Sequence, residues 1–140
     1  MANRADRFTT TDKKTQIYSD FLTDLNKHPV SGDVVRFVNE QAVIRSIKNL
    51  LNTNRKERLY QPKIGSSIRS MLFEPMGSAT ANEIATFARE TINTHEPRAK
   101  VLEITVIPKY EQNLYIVNVT ILVINRQEPT NFNVTLTRVR

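Results

Sequence analysis

Cysteine is absent from this 140-residue chain, which excludes a disulfide framework and any thiolate-bound metal and agrees with assembly in a reducing compartment. Tryptophan is absent too, and six Phe and four Tyr are the whole aromatic supply, a thin stock for stacking sugars. The two histidines, His28 and His95, stand far apart with no carboxylate cluster beside them, so no metal site is expected. Three isolated glycines, Gly32, Gly65 and Gly77, form no Gly-x-x-x-x-Gly-Lys loop, which argues against a nucleotide enzyme. No apolar run approaches the roughly 20 residues of a membrane-spanning helix, and the polar stretch from Met1 to Lys14 is unlike a signal peptide. The chain therefore reads as one soluble intracellular domain without cofactors and without a membrane.

Charge is present, and it is concentrated. From Arg36 to Arg69 there are eight basic and two acidic residues, while the remainder of the chain holds twelve of each, so the net charge of +6 belongs to that segment. A basic face formed by Arg45, Lys48, Arg55, Lys56 and Arg58 is expected to meet an acidic partner or nucleic acid. Tyr60 lies among these cations, but no base-reading motif accompanies it, and specific nucleic-acid recognition is not expected.

Periodicity gives an α+β fold in which three helices cover a small, mainly antiparallel sheet of three to four strands. Residues 1–14 cannot bury enough apolar surface to offset their ordering entropy and read as a flexible arm, leaving 15–140 as the domain. Tyr18, Phe21 and Leu25 fit either a short helix or an extended segment. A helical pattern begins at Asp33 and shows the stripe Val43, Ile44, Ile47, Leu50, Leu51. A short extended piece over 57–62 leads to a second, shorter helix opening at Gly65 and Ser66 and running through Ile68, Met71 and Leu72. Thr80 and Glu83 form a capping box for a third helix, with Ile84, Phe87, Ala88 and Ile92 on one face. Strands follow over 101–109, 114–125 and 132–139 as a meander. In the last of them Phe132, Val134 and Leu136 alternate with Asn133, Thr135 and Thr137, as in a strand buried on one face, and without Pro or Gly it offers an edge for strand addition.

Glu96, Pro97 and Arg98 mark the corner between the third helix and the sheet. Pro97 disfavours helix at Glu96, cannot donate a helical hydrogen bond, and stiffens the connection. Two opposite charges on a rigid corner suit a charged contact with a partner. The alternative for the acids is hydrolysis: Glu74, Glu96 and Glu103 are conceivable members of a glycosidase pair, one of which would need a raised pKa.

Several segments taken together resemble the baseplate wedge family of contractile phage tails, which includes the type VI secretion baseplate component TssE and is often labelled lysozyme-like. They are Ser31 to Val34, Ala42 to Leu51, Glu57 to Pro62, Leu72 to Pro75, and Glu96 to Arg98. The resemblance implies a virion protein in the tail baseplate, assembled in the host cytoplasm, that is not an enzyme. It implies that Glu96, Pro97 and Arg98 dock on the core bundle of the wedge, and that the fold is related to the conserved domain of tail sheath proteins. It further implies that strand exchange through Phe132, Asn133, Val134, Thr135, Leu136 and Thr137 templates the first sheath ring. The implied partners are other wedge proteins and the sheath protein, with tail tube or hub proteins as further candidates. A secretion-system baseplate component and a peptidoglycan hydrolase are the alternatives. The chain departs from the family at Lys56, where glycine is usual, so the turn over 54–56 is expected to differ in shape. On this reading Arg98→Glu leaves the domain folded and abolishes docking.

Overall fold

Helix α1 (Glu40–Asn52) buries Val43, Ile44, Ile47, Leu50 and Leu51, the stripe legible in the sequence, together with Ala42. The computed structural model describes residues 17–21, 27–30, 32–124 and 126–138, so the arm expected over 1–14 lies outside the described residues. The helix starts at Glu40 and not near Asp33, because residues immediately before it are extended. Strand β1 (Ser19–Phe21) pairs antiparallel with β2 (Arg36–Val38) in a two-stranded sheet. This settles residues 19–21 of the ambiguous Tyr18–Leu25 segment as extended. Asn39 makes the junction at φ 52°, a conformation that asparagine tolerates better than most residues. Its N–H donates to the Tyr18 carbonyl at 2.7 Å and its Oδ1 accepts from the Ile17 N–H at 3.0 Å, so the side chain ties down β1 and makes no cap for α1.

Helix α2 (Ile68–Met71) is a single turn that opens after Ser67, two residues beyond the expected start. Helix α3 (Ser78–His95) begins at Ser78 with Gly77 as N-cap, so the Thr80–Glu83 capping box does not form. Thr80 sits inside the first turn, where its Oγ1 donates to the Pro75 carbonyl at 2.8 Å. The carbonyl of a proline-containing connection competed successfully for the hydroxyl that the motif assigned to the helix terminus. The inner face of α3 is as the spacing requires: Ile84, Ala88 and Ile92 are fully buried, and Phe87 packs at their margin. Burying each isoleucine stabilises by about 1.5–3 kcal/mol.

Strands β3 (Ala99–Lys109), β4 (Leu114–Val123) and β5 (Thr130–Thr137) form the expected antiparallel meander, in the order β3-β4-β5. Asn113, at φ 51°, closes the first hairpin with its N–H donating to the Tyr110 carbonyl at 3.3 Å. The β3–β4 register shifts between Val101 and Glu103, a bulge that inserts Leu102 and changes which parity faces inward. Ala99 and Val101 are buried before it, whereas Ile104 and Val106 face the core after it. The sheet's inner face carries Tyr115, Val117, Val119, Ile121 and Val123 from β4 with Val134 and Leu136 from β5, and the helices cover it. Its outer face is mixed: Asn133, Thr135 and Thr137 of β5 are exposed there, as the alternation implied, beside Ile116 of β4 and the exposed Ile107 of β3.

Candidate partner-docking site

The corner after α3 is built by Pro97. Helix α3 stops at His95, and Glu96 takes the non-helical values φ −125°, ψ 77°, as a residue before proline must. The Glu96 N–H still donates to the Ile92 carbonyl at 2.8 Å, and the Glu96 carbonyl accepts from Ala99 N–H at 3.2 Å. The Arg98 carbonyl in turn accepts from Ile124 N–H at 2.9 Å, which fastens the corner to the end of β4.

The two charges do not point outward independently. Glu96 is 3% exposed, and its carboxylate is filled from within the chain: Oε1 accepts from Arg98 Nε at 2.5 Å, and Oε2 from Arg98 Nη2 at 2.8 Å and from Ser46 Oγ of α1 at 2.6 Å. Glu96, one of the three residues expected to dock, is thus engaged in an internal bidentate pair that ties the corner to α1. Burial, the largest single influence, pushes the Glu96 pKa up, but the hydrogen bonds from Arg98 and Ser46 and the adjacent positive charge outweigh it and hold the carboxyl below its ordinary value. Arg98 is correspondingly raised by its hydrogen bonds to Glu96.

Arg98 is the member that reaches solvent. Its side chain is 36% exposed, and its guanidinium lies 5.4 Å from the centre of the Tyr18 ring. Nε and Nη2 serve Glu96, which leaves Nη1 without a partner among the described residues. Pro97 beside it is exposed. The arrangement is a cation fixed on one edge by a buried carboxylate, steadied by a ring, and, among the described residues, open on its remaining edge. Because the folded pKa of Glu96 is lowered, its contribution to stability is complete above the unfolded value near 4.5 and disappears as pH falls through the folded value. Unfolding free energy measured against pH should therefore decline below about pH 5, and Glu96→Gln should flatten that part of the profile.

Two of the five expected basic-face residues, Arg45 and Lys48 of α1, lie against aromatic rings of different sheets. Arg45 packs its guanidinium 5.0 Å from the Phe37 ring of β2, whereas Lys48 sits 5.8 Å from the Phe132 ring of β5. Arg55, Lys56 and Arg58 lie in the exposed loop between α1 and α2. Lys56 adopts φ 71°, so the lysine takes the left-handed conformation that glycine would supply there, and its N–H donates to the Pro62 carbonyl at 2.9 Å. Ser46, which completes the Glu96 site, was not foreseen, because a hydroxyl fifty residues away carries no motif. Strand β5 pairs with β4 alone, so its other edge is open among the described residues. A dent of about 180 Å³ flanks that strand, between Leu51 and Asn52 of α1, Arg69 and Leu72 near α2, and Thr135 to Thr137.

Residues 38–128 match the family model described as baseplate wedge protein gp25. The baseplate wedge protein gp25 of Enterobacteria phage T4 is 26% identical over 113 residues, covering 81% of this chain and 85% of that protein. Among solved structures, a putative tail lysozyme from Geobacter sulfurreducens superposes with TM-score 0.68 at 22% identity, over 72% of this chain and 92% of the other. A chain of the anti-feeding prophage baseplate gives TM-score 0.59 at 18% identity, over 88% of this chain and 87% of that one. A chain of the type VI secretion baseplate complex gives 0.58 at 15% identity, over 71% and 93% respectively. The matched span runs from the end of β2 through α3, the Glu96–Arg98 corner and the sheet to the turn before β5, and the chain belongs to the baseplate wedge protein gp25 family, a component of contractile-tail baseplates.

Proposed function

We propose that this wedge protein docks on the core of the baseplate wedge through Arg98 and Pro97, with Glu96 positioning the arginine, and that the open edge of β5 accepts a strand of the tail sheath protein to start the first sheath ring. The observation that carries the docking role is the half-used guanidinium of Arg98, held by a carboxylate that is 3% exposed while its own side chain is 36% exposed. Pre-orientation spares a partner's carboxylate or carbonyl the cost of ordering a long side chain. Strand addition at β5 would satisfy the edge backbone groups and set register through side-chain alternation. The same geometry disfavours a glycan hydrolase, since a general acid needs a raised pKa and a free proton, whereas Glu96 is ion-paired and lowered.

Removing Arg98 alone would confound docking with folding, because it strands the buried Glu96. The expectation that Arg98→Glu is harmless to the fold does not survive the ion pair, as it would set two carboxylates side by side. The test is the paired variant Glu96→Gln with Arg98→Met, since exchanging both members of a buried pair is often neutral for stability. Purified wild type and paired variant are titrated with the wedge core proteins of the same tail. Melting at the same denaturant concentration with association weakened roughly tenfold or more is the expected result; undiminished association by the folded variant removes the corner from the docking surface.

A further inference from the structure

The loop between α1 and α2 shows a second surface that the corner does not explain. Leu59 is 90% exposed and Tyr60 is 96% exposed, and folding gains nothing from holding two large apolar side chains in water. The loop is nevertheless tightly built. Its neck is closed by Lys56 N–H donating to the Pro62 carbonyl at 2.9 Å, Ser66 N–H to the Thr53 carbonyl at 2.8 Å and Arg55 N–H to the Ser66 carbonyl at 3.3 Å. Ser66 Oγ donates to the Leu51 carbonyl at 2.7 Å and anchors the neck to the end of α1. Five residues, 57–61, protrude beyond that neck, with Leu59 and Tyr60 among them.

Charge surrounds this tip on one side of zero. From Thr53 to Phe73 the chain has five cations, Arg55, Lys56, Arg58, Lys63 and Arg69, and a single acid, Glu57. The Glu57 carboxylate is turned into the neck, where Oε2 accepts the Asn54 N–H at 2.7 Å. A dent of about 400 Å³ at the root of the loop is lined by Arg55, Arg69 and Phe73 with small serines between them, and Phe73 is itself 62% exposed. The surface thus combines apolar prongs, a cationic fringe and a shallow receptacle.

We infer that this loop is a pre-formed docking prong for an acidic, apolar-lined cleft on another baseplate protein. Leu59 and Tyr60 fill the cleft, and the fringe of Arg55, Arg58 and Lys63 pairs with carboxylates around its mouth. A protein cleft fits better than a nucleic-acid backbone, because phosphates would engage the cations but leave Leu59 uncovered. Rigid apolar anchors surrounded by charge are the arrangement that concentrates binding energy at protein interfaces. The inference rests on membership of the baseplate family and is independent of the role proposed for Arg98.

The test places a photo-crosslinking phenylalanine derivative at Tyr60, in a chain whose Glu96 and Arg98 are intact, and irradiates assembled tails. The expected adduct joins Tyr60 to a segment of another baseplate protein rich in Asp and Glu, and it weakens on raising salt and in Arg58→Glu/Lys63→Glu. In parallel, Leu59→Ser/Tyr60→Ser should lower incorporation into tails by roughly tenfold, with an unchanged melting curve. An adduct to lipid or nucleic acid, no adduct, or unchanged incorporation of the serine variant overturns the inference. Undiminished association of the Glu96→Gln/Arg98→Met variant, with the Tyr60 adduct formed as expected, would instead count against the corner alone.

Discussion

Replacing Arg98 with alanine should destabilise the domain by about 3 kcal/mol, the range expected when a buried ion pair loses one member. The cost does not come from lost attraction alone. Glu96 is 3% exposed, so without Arg98 its charge remains in a poorly solvated place with Ser46 Oγ as its remaining side-chain donor. The domain must then either tolerate that charge or take up a proton to remove it. Adding Glu96→Gln to Arg98→Ala should therefore recover most of the loss, since the residue left behind is neutral. Glu96→Gln alone should cost less than Arg98→Ala, because Arg98, 36% exposed, can turn to water. Urea unfolding of the four proteins as a double-mutant cycle measures the coupling. Single-mutant losses within about 0.5 kcal/mol, the size of an ordinary surface change, would show the pair to be a solvated one without structural weight.

This asymmetry was half legible in the sequence. Pro97 announced the corner, and the end of α3 at His95 followed from it. The inward turn of Glu96 did not, because it depends on Ser46, a residue on another helix whose identity signals nothing locally. The same division runs through the fold. The stripes on α1 and α3 and the alternation in β5 were readable because each is periodic and each face meets one environment. The β1–β2 pair was missed: three residues per strand give too few repeats to show a period, and what fixes them is the side chain of Asn39, reaching twenty-one and twenty-two residues back. Thr80 failed as a cap because Pro75, before the helix, offered its carbonyl. Basic residues were counted correctly, but a count along the chain cannot tell that Arg45 and Lys48 pack on rings of two different sheets. The bulge at Leu102 likewise hides because Val101 and Leu102 are successive apolar residues, neither of which signals that it is the inserted one.

Gly65→Ala should be the most damaging single change in the loop, at about 3 kcal/mol or more, from two separable causes. Gly65 has φ 137°, a region that residues with a Cβ rarely enter. A Cβ added there would also lie 2.6 Å from the backbone carbon and oxygen of Asn54 and 2.8 Å from the Arg55 nitrogen. Backbone cannot swing aside as a side chain does, so the neck must open at the Asn54–Ser66 bridge. Gly32→Ala provides the comparison, since Gly32 has φ 68° with open space around its would-be Cβ and should lose only about 1 kcal/mol for the left-handed backbone. The excess at Gly65 then measures the collision. Hydrogen exchange locates it: the amides of Arg55, Lys56 and Ser66, which close the neck, should lose protection in Gly65→Ala, whereas those inside β4 should follow global stability only. A variant that kept the neck amides protected would mean that the loop deforms beyond them, and the prong carrying Leu59 and Tyr60 would not owe its rigidity to this glycine.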